Sequence, residues 1–355
     1  MFNKLFTTKN KKEIISGVDK TLKMTYIMLD AQETPGHGIS NYYQMLIEML
    51  DKYFPEVKYE LISNKKSLSR TDFSKYAFNI ISRKYQPNNC IIEAAETHAS
   101  SIFFPRNWKV HIRFHCPTAV VEKYIGASIN QDILSGTIRC ISKAHYCSMP
   151  NLSLYHELNN EINMKNVAVY ANPISNQNIP FFDIDQKEYD VIFFSRVDKL
   201  KGAEYINPIL ERLDKNFKVL ILGLHAKKFK ISQKIKCHVI LKEHLISNKK
   251  FRYLGKAKTM IFLSKFENQP MAVLESISAG TMVLSWNIEA LTDFSKKTVK
   301  TFKIGDIDKI SNCIKYICNN INQYPKQDIF IKDIENKQHS FISGFKEMLY
   351  KMGYQ

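Results

Sequence analysis

Two carboxylates, Glu267 and Glu275, stand eight residues apart in the stretch FENQPMAVLESISAG, on either side of a proline that opens an apolar helix. The start of a helix offers unpaired amides and a partial positive charge, and so attracts an anion. Carboxylates do not bind phosphate, so beside such an end they suit neutral hydroxyls. Glu267 in the loop would face a sugar and Glu275, further along the helix, a ribose, both as charge-assisted acceptors. Pro270 suits the first helical turn, where a missing N–H is no loss, and Gly280 suits a left-handed cap at the far end. Upstream, SRVDKLKGAEYI places Arg196 just past a strand and Lys201 five residues on. A guanidinium fork followed by an ammonium point charge suits a diphosphate. Read singly, each group also has a plain structural meaning: a glutamate on the helix dipole, a surface acid, solvated loop cations.

Elements that position these groups alternate between strand and helix. MTYIMLD (residues 24–30) reads as a first strand, the glycine-containing PGHGIS follows, and NYYQMLIEML has helical apolar spacing. VKYELIS, AFNIIS, NNCIIEAA, WKVHIRFH and GTIRCIS are further strand candidates. After the polar, proline-punctuated segment 172–188 a second series begins: YDVIFFS, a helix from about Gly202, FKVLILG, CHVILK, KTMIFLS, the Pro270 helix and TMVLSW. Such alternation predicts α/β architecture, two doubly wound domains with parallel, helix-covered sheets whose ligands bind beyond the C-terminal ends of the strands. The expected divisions are a basic segment 1–23, a first domain 24–175, a second domain 176–335 and a terminal helix 336–355.

Composition fits two globular domains: 355 residues, 45% hydrophobic and 24% charged. No apolar run approaches the roughly 20 residues of a spanning helix, and the opening MFNKLFTTKNKKEIISG lacks a signal-peptide core. A cytoplasmic protein is expected. The seven cysteines form no CxxC pair, which predicts free, mostly buried thiols. The net charge of +17 comes from 43 Lys and only 8 Arg, a balance that speaks against base-reading contacts and so against a nucleic-acid partner. Lys4, Lys9, Lys11, Lys12, Lys20 and Lys23 lie beside Phe2, Leu5 and Phe6. They offer an attraction to an anionic membrane surface of about 1 kcal/mol per charge, or form a solvated terminus.

In the order of these motifs the sequence resembles the retaining glycosyltransferases of the GT-B fold, particularly glycosyltransferase family 4. FFSRVDKLKGAEYI resembles that family's Gly-Arg and Lys-Gly segment, and FLSKFENQPMAVLESISAGTMVLS its Glu-x7-Glu segment. The resemblance implies two Rossmann-like domains facing each other across a cleft. Arg196 and Lys201 would bind the donor's diphosphate, Glu267 the transferred sugar and Glu275 the ribose. Asn268, Gln269, Pro270 and Met271 would line the donor site. Gly36 and Gly38 stand where the family has its glycine-rich loop, His115 in VHIRFHCP matches its active-site histidine, and Asn172-Pro173 is similar to its Asn-Gly turn. The sequence departs from the family at Ser195, usually glycine, and at Asn268 to Met271, usually richer in glycine. His37 contacts substrate or covers the loop.

The implied chemistry is retaining, metal-independent transfer from a nucleotide-sugar donor to a glycan or lipid-linked acceptor, with no cofactor. A basic N-terminus and a lysine-rich first domain would suit work at the inner face of the plasma membrane, on a lipopolysaccharide-type acceptor. Tyr42, Tyr43, Phe103, Phe104 and Trp108 would serve that acceptor or the core. Asp183-Ile184-Asp185 and Asp306-Ile307-Asp308 spell the metal-binding DxD of other transferases. A nucleotide-sugar epimerase, and a non-catalytic protein held to membrane or nucleic acid by charge, are the alternatives.

Overall fold

The computed structural model describes residues 24–31, 38–158, 164, 166–174, 179–243 and 249–354. The basic segment 1–23, Gly36 and His37 lie outside the described residues. In the first half, β1 (Thr25–Asp30), β2 (Lys58–Ser63), β3 (Cys90–Ala95), β4 (Lys109–Arg113), β5 (Tyr146–Met149) and β6 (Val167–Val169) form one sheet. Around it run α1 (Gly38–Tyr53), α2 (Arg70–Lys84), α3 (Thr118–Ile125), α4 (Gln131–Lys143) and α5 (Ser153–Leu158). The second sheet comprises β7 (Tyr189–Phe194), β8 (Lys218–Gly223), β9 (His238–Glu243), β10 (Ala257–Phe262), β11 (Met282–Trp286) and β12 (Val299–Phe302). Its helices are α6 (Ile206–Leu210), α7 (Lys249–Gly255), α8 (Met271–Ser278) and α9 (Ile307–Asn319), and α10 (Gln327–Lys351) closes the chain.

Every strand pair is parallel. The orders are β2-β1-β3-β4-β5-β6 and β12-β11-β10-β7-β8-β9, so the expected pair of doubly wound sheets is present. Burial on both faces explains why β1 and β3 are largely apolar, with Glu93 the buried exception inside β3. Strand order reverses between β1 and β3 in one sheet and between β7 and β10 in the other. Ligands of open parallel sheets enter at such switch points. The loops that follow β7 and β10 are the ones that carry Arg196, Lys201 and Glu267.

Two expected strands are helices instead. AFNIIS lies in α2, where Phe73, Ala77 and Ile81 recur every four residues and are fully buried, and where Ser69 caps the start by accepting from the Asp72 amide at 3.2 Å. GTIRCIS lies in α4, capped by Asn130, which accepts from the Ile133 amide at 3.2 Å. A short apolar run fits both periods, and the caps decide between them. The edge strands β6 and β12, three and four residues long, fall outside the sequence pattern. The helix from Gly202 shrinks to a 3-10 turn and the five-residue α6.

Helix α10 begins at residue 327, earlier than the expected 336, and joins the two cores. Its early residues Phe330 and Ile334 pack into the second core. Its later residues Phe341, Phe345, Met348 and Leu349 pack with Tyr26, Tyr42, Leu46 and Leu50 of β1 and α1. Phe345 lies edge-on to Tyr26 and Phe54, with ring centroids 5.3 and 5.2 Å away. Replacing Phe345 with alanine should cost about 3–5 kcal/mol of unfolding free energy. Urea denaturation checks this, and a loss below about 1 kcal/mol would show that the helix is not anchored there.

Candidate active site

Lys201 is seated by its neighbours. Its amide donates to Asp198 Oδ1 at 2.9 Å, and the same carboxylate takes Arg196 Nε on its other oxygen at 3.2 Å. Gly202 follows in the left-handed region, φ +70°, and a Cβ there would lie 2.3 Å from the Leu263 carbonyl oxygen. Only glycine lets the two loops close in this way. The Lys265 amide then donates to the Leu200 carbonyl at 3.1 Å, so the loops after β7 and β10 are stitched together. Across that seam Lys201 Nζ pairs with Glu267 Oε1, which also accepts from Ser264 Oγ at 2.7 Å. Both side chains are largely buried, while Arg196 stays half exposed.

Pro270 occupies the cap position of α8, one residue before the helical turn expected for it. The Val273 and Leu274 amides bond back to the Pro270 carbonyl at 3.0 and 3.3 Å. By helix geometry this leaves the Met271 and Ala272 amides without an intrahelical partner, at the end nearest Glu267. Glu275 lies one turn further on, where Lys250 of α7 pairs with its Oε1 at 2.5 Å. Each expected glutamate is therefore held by a lysine.

Asn268 and Gln269 are turned toward the first domain. Asn268 Nδ2 donates to the Phe114 carbonyl at 2.8 Å, and Gln269 Oε1 accepts from the Asn172 amide at 2.6 Å. The other ends of these amides, Asn268 Oδ1 and Gln269 Nε2, are buried with no hydrogen-bond partner among the described residues. Phe266 belongs to the first domain's core and stacks on Tyr124 with centroids 4.8 Å apart.

His115 stands opposite, in the loop after β4, its ring edge-on to Tyr42 at 4.6 Å. The loop is fixed by Glu96, fully buried after β3, whose two oxygens accept from the His115 and Cys116 amides at 2.8 and 2.7 Å. Burial pushes the neighbouring Cys116 thiol up to about 12, aided by the Glu267 and Glu96 charges and opposed by Lys201 and Arg196. The bond from Asn268 Nδ2 to the Phe114 carbonyl brings this loop beside the one that carries Glu267. Gly38 is the exposed first residue of α1.

Other expected groups have structural work. Asp183 and Asp306 cap helical turns, and Asp308 pairs with Arg212. Among the described residues no group of three His, Cys, Asp or Glu is arranged as metal ligands. Tyr42, Tyr43, Phe104 and Trp108 are core residues, which leaves only Phe103 exposed. All seven cysteines are free thiols. The expected lysine-rich first domain needs correction: residues 24–175 hold 15 Lys and Arg against 13 Asp and Glu, whereas residues 176–355 hold 30 against 19. The surplus belongs to the second domain. Sequence reasoning missed Lys250 and Glu96, whose contacts join residues 25 and 19 or 20 positions apart with no local spacing to announce them.

Two doubly wound domains joined in this way, with charged loops at the second domain's switch point, define the GT-B architecture of glycosyltransferases. Residues 175–336 match the family described as glycosyl transferases group 1, so the second domain carries that family's pattern. By sequence, no curated protein matches the chain. Among solved structures, Anabaena HepE in complex with UDP is 12% identical over 92% of this chain and 99% of its own, with a TM-score of 0.67. An α-glucosyltransferase in complex with UDP-glucose and DNA is 12% identical over 93% of this chain and 99% of its own, TM-score 0.62. S. aureus TarM is 14% identical over 79% of this chain, TM-score 0.62, and the chain spans 57% of its length. These likenesses show the fold. Among the described residues no helix is long and apolar enough to cross a membrane.

Desolvation raises the Glu96 carboxyl from 4.5 to about 7, against the opposing pull of the amides of His115, Glu96, Cys116 and Thr97. The folded state then holds a proton that the unfolded chain loses near 4.5, so stability falls as pH rises from about 4.5 to 7 and levels off above. Glu96→Gln stays neutral throughout. Relative to it, the wild type should lose up to about 3 kcal/mol between pH 5 and pH 8. Urea unfolding of the pair at both pH values checks this, and parallel behaviour would contradict it.

Proposed function

We propose that the protein is a retaining, metal-independent glycosyltransferase that moves a sugar from a nucleotide-diphosphate donor to a hydroxyl of a glycan or lipid-linked acceptor. Bacterial surface polysaccharide or lipopolysaccharide synthesis is the setting that suits it, at the cytoplasmic side of the membrane. One observation carries the reading: Arg196, Lys201 and Glu267 converge in the loops after β7 and β10, beside the start of α8. A nucleotide diphosphate is the ligand whose charge and hydroxyls match that set. Arg196, Lys201 and the Met271 and Ala272 amides would take the diphosphate. Glu267 would accept from sugar hydroxyls and Glu275 from the ribose.

In the reaction the bond from the sugar's anomeric carbon to the diphosphate breaks, and the acceptor oxygen bonds to that carbon on the same face. The departing diphosphate takes the acceptor's proton, and the fixed cations stabilise the charge that develops on it. No metal is assigned a step. The His115 loop faces the reacting centre, and the closed contact between the domains keeps water from the donor. Lys250 and Lys201, now paired with the glutamates, are the cations freed when hydroxyls replace them.

The test is a thermal-shift and turnover screen of UDP-, GDP-, ADP- and CMP-sugars in EDTA, with Arg196→Ala and Glu267→Ala alongside. Because one structural neighbour is an α-glucosyltransferase in complex with DNA, DNA is included among the acceptors tried. One donor should stabilise the wild type and be consumed, and either substitution should lower kcat/KM by at least about 100-fold. If no nucleotide sugar binds with or without metal, a charge-driven binding role replaces this reading. If a donor is consumed without acceptor into a sugar epimer, the epimerase reading replaces it.

A further inference from the structure

A row of fully buried polar side chains crosses the first sheet beneath α1 and α10 and ends at the second domain's donor loop. It starts at Tyr26 on β1, whose hydroxyl donates to Glu93 on β3. Glu93 lies beside His111 in the register of β3 and β4, with Oε2 3.1 Å from Nδ1. His111 Nε2 meets Ser148 Oγ on β5 at 2.7 Å. Ser148 is the register partner of Arg113 and accepts from its Nη1 at 3.1 Å. Arg113 has no exposed surface. Its Nη2 donates to the Tyr170 carbonyl at 2.9 Å and to Asn172 Oδ1 at 2.7 Å, and its Nε reaches the same Oδ1 at 3.2 Å. The guanidinium also lies over the Tyr170 ring at 4.5 Å.

Asn172 is thus gripped from one side by Arg113 and from its own amide grips Gln269. Three consecutive residues of the donor loop bond to the first domain: the Glu267 carbonyl accepts from Ser153 Oγ at 3.3 Å, Asn268 from its side chain reaches the Phe114 carbonyl, and Gln269 accepts from Asn172. A buried guanidinium is costly unless its donors are met, and two of the four bonds Arg113 makes go to Asn172 Oδ1, which ties that residue to the first sheet. We propose that Arg113 is a positioning residue: acting through Asn172 and Gln269, it holds the Glu267 loop against the first domain and so sets the place of the Glu267 carboxylate relative to the His115 loop. It touches no substrate itself. The kinetic part of this inference rests on the glycosyltransferase reading, whereas the physical link does not.

Hydrogen exchange measured by mass spectrometry on the full chain separates the two. The variants are Gln269→Ala, Arg113→Lys, their double, and Asn172→Ala, which removes the Arg113 acceptor but keeps the amide should Arg113→Lys fail to fold. Each single change should speed exchange by at least about tenfold in both segments 170–174 and 266–272, leaving β7 and β8 protected, and the double should exceed neither single, as expected of partners in one chain of contacts. Exchange of 266–272 at the wild-type rate in both Arg113→Lys and Asn172→Ala, or additive effects in the double, would overturn the proposal. With the nucleotide sugar found to turn over, kcat should fall by about tenfold or more while KM changes by less than about threefold. Unchanged kcat despite faster exchange would leave a domain contact without a positioning role and so contradict it. An absence of any turnover in the wild type indicts the functional reading alone.

Discussion

The ion pair between Lys201 and Glu267 is the joint on which the rest of the molecule turns. It spans the loops after the two strands at the second sheet's switch point, and one of its members begins the run of residues that binds the first domain. Such a pair, mostly out of water, returns its desolvation cost only when geometry and further hydrogen bonds are good. Ser264 and the close approach at Gly202 supply both. Lys250 and Glu275 repeat the arrangement one helical turn away. With Asp198 on Arg196, Glu267 on Lys201 and Glu275 on Lys250, three acids balance three cations within the site.

The same principle governs the first domain. Glu93, His111 and Arg113 share one buried face, and neighbouring strands place their partners beside them in register. Polar residues at such positions replace apolar ones that would pack as well, and although Glu93 Oε1 has no hydrogen-bond partner among the described residues, the bonds the network does make favour one arrangement of the strands. Its far end is a domain contact. Core construction and site construction are consequently not separable here.

Much of the fold is written in the sequence, because parallel strands buried on both faces appear as apolar runs and Pro270 and Gly280 mark helix α8. AFNIIS and GTIRCIS misled because six or seven apolar-rich residues fit either period, while the deciding signals, Ser69 and Asn130, stand eight and six residues upstream. Arg196, Lys201 and Glu267 stand out in the sequence because they lie in loops that follow strands, and Glu275 because it lies eight residues beyond Glu267, within the helix that Pro270 opens. Arg113 was not, since a charged residue inside a strand pattern says nothing about its partners, and Asn172 lies 59 residues away. Asn268 and Gln269 were legible as loop residues beside the site, but their direction depends on the domain opposite.

The most direct measurement is a crystal structure of the protein soaked with UDP. Diphosphate oxygens are expected within hydrogen-bonding distance of Arg196, Lys201 and the Met271 and Ala272 amides, with the ribose hydroxyls on Glu275. A diphosphate bound elsewhere, with Lys201–Glu267 and Lys250–Glu275 both intact, would contradict this arrangement.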